Sequence, residues 1–233
     1  MDGKEVSLNT TDGVFGGYLA RPDTANGAGI VVIQEIFGVN KFVRAVADDY
    51  AARGYFALAP DLFWRLEPGI RLDPSVEGER NRAFSLFPKF DADLGVKDIE
   101  ATIDHLRGTE KCAKVGAVGY CLGGLLAYLT ATRTDIDACV GYYGVSIDDK
   151  LGEAANIHKS LMLHMAGKDQ FVPPAAQKKI IEGLKSNPLV TIHTYPEMDH
   201  GFARTGGDHY DRANAELADG RTSAFFRQHL SRL

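Results

Sequence analysis

The sequence predicts an α/β fold, an eight-stranded and mostly parallel sheet flanked by helices on both faces. Three observations predict it. Eight short apolar runs of strand length lie near residues 4–9, 14–20, 29–34, 55–59, 114–118, 138–143, 160–166 and 190–195. The later runs alternate with helical stretches near 40–53, 92–107, 122–133, 174–185 and 209–231, and repeated β-α units imply parallel strands. Runs 29–34 and 114–118 are almost continuously apolar, as strands covered on both sides are. The first two runs flank Thr11-Asp12-Gly13, and Asp-Gly there signals an antiparallel hairpin.

No repeat, low-complexity tract or Gly/Ser linker divides the 233 residues, so one domain, 1–233, is expected. From Asp61 to Asp91 about thirty residues separate the fourth strand from the next helix, far more than an ordinary connection needs. This excursion carries Trp64, the turn signals Pro68-Gly69 and Asp73-Pro74, and an amphipathic piece near 78–87. It reads as a cap over a site rather than an idle surface loop.

Composition narrows the function. Hydrophobic content of 45% and charged content of 24% are those of a soluble globular protein. A net charge of −5 argues against nucleic acid or an anionic membrane surface as a partner. No apolar run approaches the ~20 residues of a membrane span, and the N-terminus lacks the apolar core of a secretory signal. Three cysteines, Cys112, Cys121 and Cys139, show neither paired number nor C-x-x-C spacing, so no disulfide framework or metal site is expected. A reducing cytoplasm suits such a chain.

The chemistry starts at Gly119-Tyr120-Cys121-Leu122-Gly123, a G-x-S-x-G nucleophile elbow with cysteine in place of serine. A strand precedes it and a Leu/Ala-rich helix follows, the context that such an elbow requires. In open parallel sheets ligands bind at the carboxyl ends of strands. Cys121, Asp169, His200 and Glu35 all follow predicted strands. The order nucleophile, Asp, His is that of an α/β-hydrolase triad. Asp169 could instead be a turn residue. His105, His209 and His229 read as solvated helical residues, His158 as a loop residue, and His164 and His193 as strand packing. Cys112 and Cys139 read as core. His200 can accept the thiol proton and Asp169 can hold the imidazole and stabilise its charge. Thiolate attack on an ester or lactone would give an oxyanion, for which the backbone N–H groups of Leu122 and Ile36 are the candidate donors.

Together these residues resemble the dienelactone hydrolase (carboxymethylenebutenolidase) family of the α/β-hydrolase fold, over nearly the whole chain. The most specific stretches are Gln34-Glu35-Ile36-Phe37-Gly38, the elbow with Gly124, Gly141-Tyr142-Tyr143-Gly144, Gly167-Lys168-Asp169 with Phe171-Val172-Pro173, and His200-Gly201-Phe202-Ala203-Arg204. The resemblance implies a cofactor-free enzyme that opens a carboxylated enol lactone to maleylacetate in catechol breakdown, and a monomer. It gives Glu35 the role of resting partner of the thiol, substrate binding then freeing the thiolate. The competing reading of Glu35 is a salt bridge, for which Arg204 is a candidate. An anionic lactone needs a local cation in a chain of this net charge. Arg204 would supply one, and Arg80 corresponds to the family's second carboxylate-binding arginine, with Arg71 and Arg82 close by. Phe37, Tyr143 and Phe171 are either the apolar wall for the ring or core. Phe84 stands where the family has a tyrosine and Phe87 where it has a tryptophan, which touches selectivity rather than reaction type. Two other readings stay open: a broader carboxylesterase or thioesterase, and a redox or binding-only domain.

Overall fold

The computed structural model describes residues 3–231. Its eight strands form one sheet in the order β1-β2-β4-β3-β5-β6-β7-β8. The chain divides into two compact units, one up to Ala117 and the other Val118–His229.

The first unit opens with the predicted hairpin. Strands β1 (Lys4–Thr10) and β2 (Gly13–Ala20) pair antiparallel, with Thr10 opposite Gly13 at the turn. Strand β3 (Ala28–Ile33) is buried along its whole length and runs parallel to β4 (Phe56–Pro60), which also pairs antiparallel with β2. Helix α1 (Lys41–Ala52) buries Val43, Ala47, Tyr50 and Ala51, one stripe of a 3.6-residue period. The Asn40 side chain caps it by accepting the Val43 N–H.

The excursion after β4 is pinned by its own polar groups. Asp61 accepts the N–H groups of Phe63 at 3.1 Å and Gly69 at 2.6 Å. The Trp64 indole donates to Asp98 at 2.9 Å, and Arg65 bridges Asp98 and Asp12. Asp98 lies on α3 (Ala92–Gly108) and Asp12 in the β1–β2 turn, so the excursion is held at two places. Helix α2 (Glu77–Leu86) occupies the stretch expected near 78–87, but it is polar nearly all round and buries only Ala83 and Leu86, so it is not the amphipathic piece expected; a 3₁₀ turn, Phe87–Lys89, follows it.

Strand β5 (Lys114–Tyr120) extends two residues beyond the predicted 118 and leads into the second unit. There α4 (Leu122–Arg133) is followed by the parallel strands β6 (Ala138–Tyr142), β7 (Ser160–Ala166) and β8 (Val190–Tyr195). Helix α5 (Pro174–Leu184) lies between the last two. Ile147–Asn156 forms a 3₁₀ stretch that was not among the expected elements, and only Ile147 in it is buried. Its Ile147, Leu151 and Ala154 recur at helical spacing, so the sequence carried a short signal for it. Helix α6 (Arg212–Leu230) begins three residues later than the predicted 209, because Asp211 accepts the Asn214 N–H and caps the helix there.

Helix α4 approaches the end of β6 at backbone distance. A Cβ on Gly124 would lie 2.6 Å from the Gly144 Cα and 2.7 Å from the Tyr142 carbonyl oxygen. Backbone atoms cannot swing aside as a side chain can, so Gly124→Ala should destabilise the fold by about 3 kcal/mol or more. Gly16, with nothing within 4 Å of its modest added methyl, is the control. Urea unfolding should place Gly16→Ala within about 1 kcal/mol of the parent; equal stability of the two variants would contradict the packing described.

Candidate active site

The turn between β5 and α4 is built to expose one side chain. Cys121 has φ 56° and ψ −112°, a region that side chains other than hydrogen rarely enter. The surrounding backbone holds it there. Its N–H donates to Tyr142 O at 3.0 Å, while its carbonyl accepts the N–H groups of Gly124 at 3.0 Å and Leu125 at 3.3 Å. Gly119 is obligatory, since a Cβ there would meet the Gly123 carbonyl oxygen at 1.9 Å. Leu122 opens α4, and N–H groups in a first helical turn lack intrahelical partners and face the positive end of the helix dipole. A developing oxyanion beside Cys121 would find a donor in that turn.

Asp169 and His200 come to Cys121 from the loops after β7 and β8. The Asp169 Oδ1 accepts the N–H groups of Phe171 at 2.8 Å and Val172 at 3.2 Å, and Oδ2 lies 2.8 Å from His200 Nδ1. The two loops are tied directly: Gly167 N–H donates to Tyr195 O and Lys168 N–H to Met198 O, both at 2.8 Å. Asp169 is 3% exposed and His200 8%. Burial alone would strip His200 of its charge. The charge on Cys121 beside it and hydrogen bonds to Asp169 and Cys121 outweigh burial and push the imidazole up to about 10. The arrangement is therefore a sulfur beside an imidazole whose charged form is favoured, anchored by a carboxylate. Such an arrangement can support nucleophilic chemistry at sulfur.

Aromatic rings frame the imidazole. Tyr143 lies 4.9 Å and Phe171 4.8 Å from His200 between ring centroids. Tyr143 is buried and also packs on Phe202, whereas Phe171 is 47% exposed. So the first serves the core and the imidazole at once, and the second forms an open apolar edge. Arg204 folds over its own loop, where a Cβ on Gly207 would lie 2.8 Å from its Nε. A cavity of about 10 Å³ bounded by Asp169, Tyr143, His164 and Gln177 holds at most a water molecule, so it is no substrate pocket.

The remaining expected site residues belong to the first unit and are described there. Glu35, 1% exposed, follows β3, and Ile36 and Phe37 form the buried turn beyond it. That turn is fixed by Leu72 N–H donating to Phe37 O at 2.9 Å and by Gly38, φ +73°, whose Cβ would strike Ile70 O at 2.0 Å. Arg80 lies on α2 with Nη1 donating to Pro74 O at 3.0 Å, and Phe84, on the same helix, is 45% exposed.

Sequence reasoning missed a buried polar network behind the aromatic frame. His164 Nδ1 lies 2.8 Å from the Tyr195 hydroxyl and Nε2 2.9 Å from Thr222 Oγ1, which lies 2.7 Å from the Tyr142 hydroxyl. Arg221 donates to the Tyr195 hydroxyl at 3.1 Å. Burial, and beyond it the charges of His193 and Arg221, hold His164 well below the ordinary histidine value, so it stays neutral. A histidine inside an apolar strand run was the available signal. Among the described residues, no group of three His, Cys, Asp or Glu side chains is gathered as a metal ion would need, and no helix is long and apolar enough to cross a membrane.

The sequence profile of the dienelactone hydrolase family matches residues 15–230. A carboxymethylenebutenolidase of Pseudomonas putida is 41% identical over 222 residues, covering 94% of this chain and 94% of that one. Carboxymethylenebutenolidase 1 of Cupriavidus pinatubonensis is 37% identical over 222 residues, covering 95% of this chain and 94% of that one. The crystal structure of a dienelactone hydrolase from Anabaena variabilis superposes with a TM-score of 0.72 at 18% identity over the full length of both chains, a likeness of fold.

The backbone at Cys121 has a measurable cost. Strain at such φ,ψ values is about 1–3 kcal/mol for a residue with a Cβ and close to nil for glycine. Compared by urea unfolding, Cys121→Gly should be more stable than Cys121→Ala by about 1 kcal/mol, despite glycine's greater unfolded entropy. The reverse order would contradict a strained turn.

Proposed function

Because the chain belongs to the dienelactone hydrolase family, we propose that it hydrolyses a carboxylated enol lactone, 4-carboxymethylenebut-2-en-4-olide, to maleylacetate. The observation that carries this reading is the hydrogen-bonded chain Cys121–His200–Asp169 at a helix N-terminus, whose surroundings favour the charged imidazole.

The Cys121 sulfur adds to the lactone carbonyl carbon, and the carbonyl electron pair moves onto oxygen, where the N–H groups of Leu122 and Ile36 stabilise it. Collapse re-forms the carbonyl and breaks the ring C–O bond. The leaving enolate takes the proton from His200, and the acyl group stays on sulfur as a thioester. His200, now neutral, draws a proton from water as that water attacks the thioester. Expulsion of the thiolate leaves His200 protonated and frees the second carboxyl group, which loses its proton to solvent. Asp169 holds the imidazole through both halves without taking its proton.

In this reading Arg204 and Arg80 bind the substrate carboxylate, and Phe37, Tyr143, Phe84 and Phe171 contact its planar ring. Glu35 is the resting partner of the sulfur; the family resemblance carries that role. We place the reaction in catechol breakdown by a cytoplasmic, cofactor-free monomer.

Ultraviolet-monitored hydrolysis of cis and trans dienelactones tests the assignment, with simple aryl esters as the comparison. The carboxylated lactones should be turned over far more efficiently, and equal efficiency on both classes would overturn it. Cys121→Ala should lose at least about a thousandfold in kcat with the fold retained. Arg204→Ala should raise KM for the lactone by roughly tenfold to a hundredfold, the worth of a charge-assisted fork. Unchanged KM and kcat would remove Arg204 from the site.

A further inference from the structure

We infer that Gln177 is a positioning residue for Asp169, and through Asp169 for the charge on His200. The inference rests on the reading in which Cys121, His200 and Asp169 act as one unit. Helix α5 buries Ala176, Gln177, Ile180 and Leu184. Three of these are apolar and one is an amide. A primary amide on a buried helix face costs free energy unless it is hydrogen-bonded, and this one is bonded to the loop that carries Asp169.

Gln177 Nε2 donates to Ala166 O at 3.1 Å and to Val172 O at 2.8 Å. Ala166 is the last residue of β7, and Val172 closes the loop after it. One amide group thus joins the two ends of the segment that holds Asp169 between them. The coupling to the carboxylate is short. The Val172 N–H donates to Asp169 Oδ1 at 3.2 Å while its carbonyl accepts from Gln177. Before Asp169, Gly167 and Lys168 are tied to the β8 loop by their N–H groups. After it, Gln177 supplies the tie.

Without that clamp the Val172 backbone can turn away, and Asp169 Oδ1 loses part of its anchorage. The Oδ2 bond to His200 then lengthens or tilts, and the imidazolium loses support. Gln177 touches none of the reacting groups. Its effect is on where Asp169 stands, and hence on the pH at which the Cys121–His200 pair forms.

The test is the pH profile of Cys121 alkylation by iodoacetamide, read by mass spectrometry so that Cys112 and Cys139 are scored separately. Gln177→Met keeps the length of the side chain and removes both donors. Gln177→Glu keeps the shape and turns a carboxylate toward two carbonyl oxygens. Both should move the profile toward higher pH, in the same direction as Asp169→Asn, and slow alkylation at pH 7 by roughly tenfold. Lactone kcat should fall with KM nearly unchanged. A lower Tm with the parent's alkylation profile would reduce Gln177 to a structural role and overturn the inference. If Gln177→Met does not fold, Gln177→Asn, one methylene too short to reach both carbonyls, decides: a parental profile overturns the inference. A parent chain that opens no lactone while its alkylation still responds to Gln177 would contradict the proposed substrate and support the positioning role. A parent profile indifferent to Asp169→Asn would overturn both.

Discussion

Everything at the site depends on one strained peptide turn. Cys121 stands at φ 56° and ψ −112° because its N–H is bonded to β6 and its carbonyl to the first turn of α4. Those bonds form only if the helix backbone can approach the end of β6, which requires glycine at 124, and if β5 can close tightly on Gly123, which requires glycine at 119. The same pair of bonds aims the thiol outward and sets the helix N-terminus behind it. The strain of about 1–3 kcal/mol is therefore stored at the one side chain that this turn presents to the site.

The electrostatics follow from that placement. Buried imidazole is ordinarily neutral, as His164 is, with its ring nitrogens bonded to neutral hydroxyls. His200 is nearly as buried, yet has the opposite character, because it lies between a sulfur that can carry negative charge and the Asp169 carboxylate. Two histidines of one unit thus differ in charge through their partners rather than their burial. The neutral one stiffens the ends of β6, β7 and β8 from behind. The charged one lies in front, beside Cys121 and Asp169.

Much of this was legible in the sequence. All eight strands fall within two residues of the runs that predict them; the buried β3 and β6 leave an unbroken apolar signature, while the Asp-Gly turn marks the β1–β2 hairpin. Cys121, Asp169 and His200 were legible for another reason: each follows a strand, in an order that a hydrolase sheet makes meaningful. Gln177 and the His164 network were not. Their partners are a backbone carbonyl pair and a set of hydroxyls from distant strands and a helix, and spacing along the chain encodes neither. The 3₁₀ stretch at Ile147–Asn156 was legible in principle, since Ile147, Leu151 and Ala154 stand at helical spacing, though only Ile147 is buried. Helix α6 shows the limit at boundaries, where a capping Asp211 outweighed the apolar and polar pattern around it.

The central claim is that His200 carries a positive charge at neutral pH because Cys121 and Asp169 both favour it. Nitrogen-15 chemical shifts of the His200 imidazole, followed from pH 6 to pH 11, test it most directly. The account predicts both ring nitrogens protonated at pH 7 and loss of that state near pH 10, with Cys121→Ala moving the transition sharply downward. A neutral His200 at pH 7, titrating near the ordinary value of about 6.5, would contradict it.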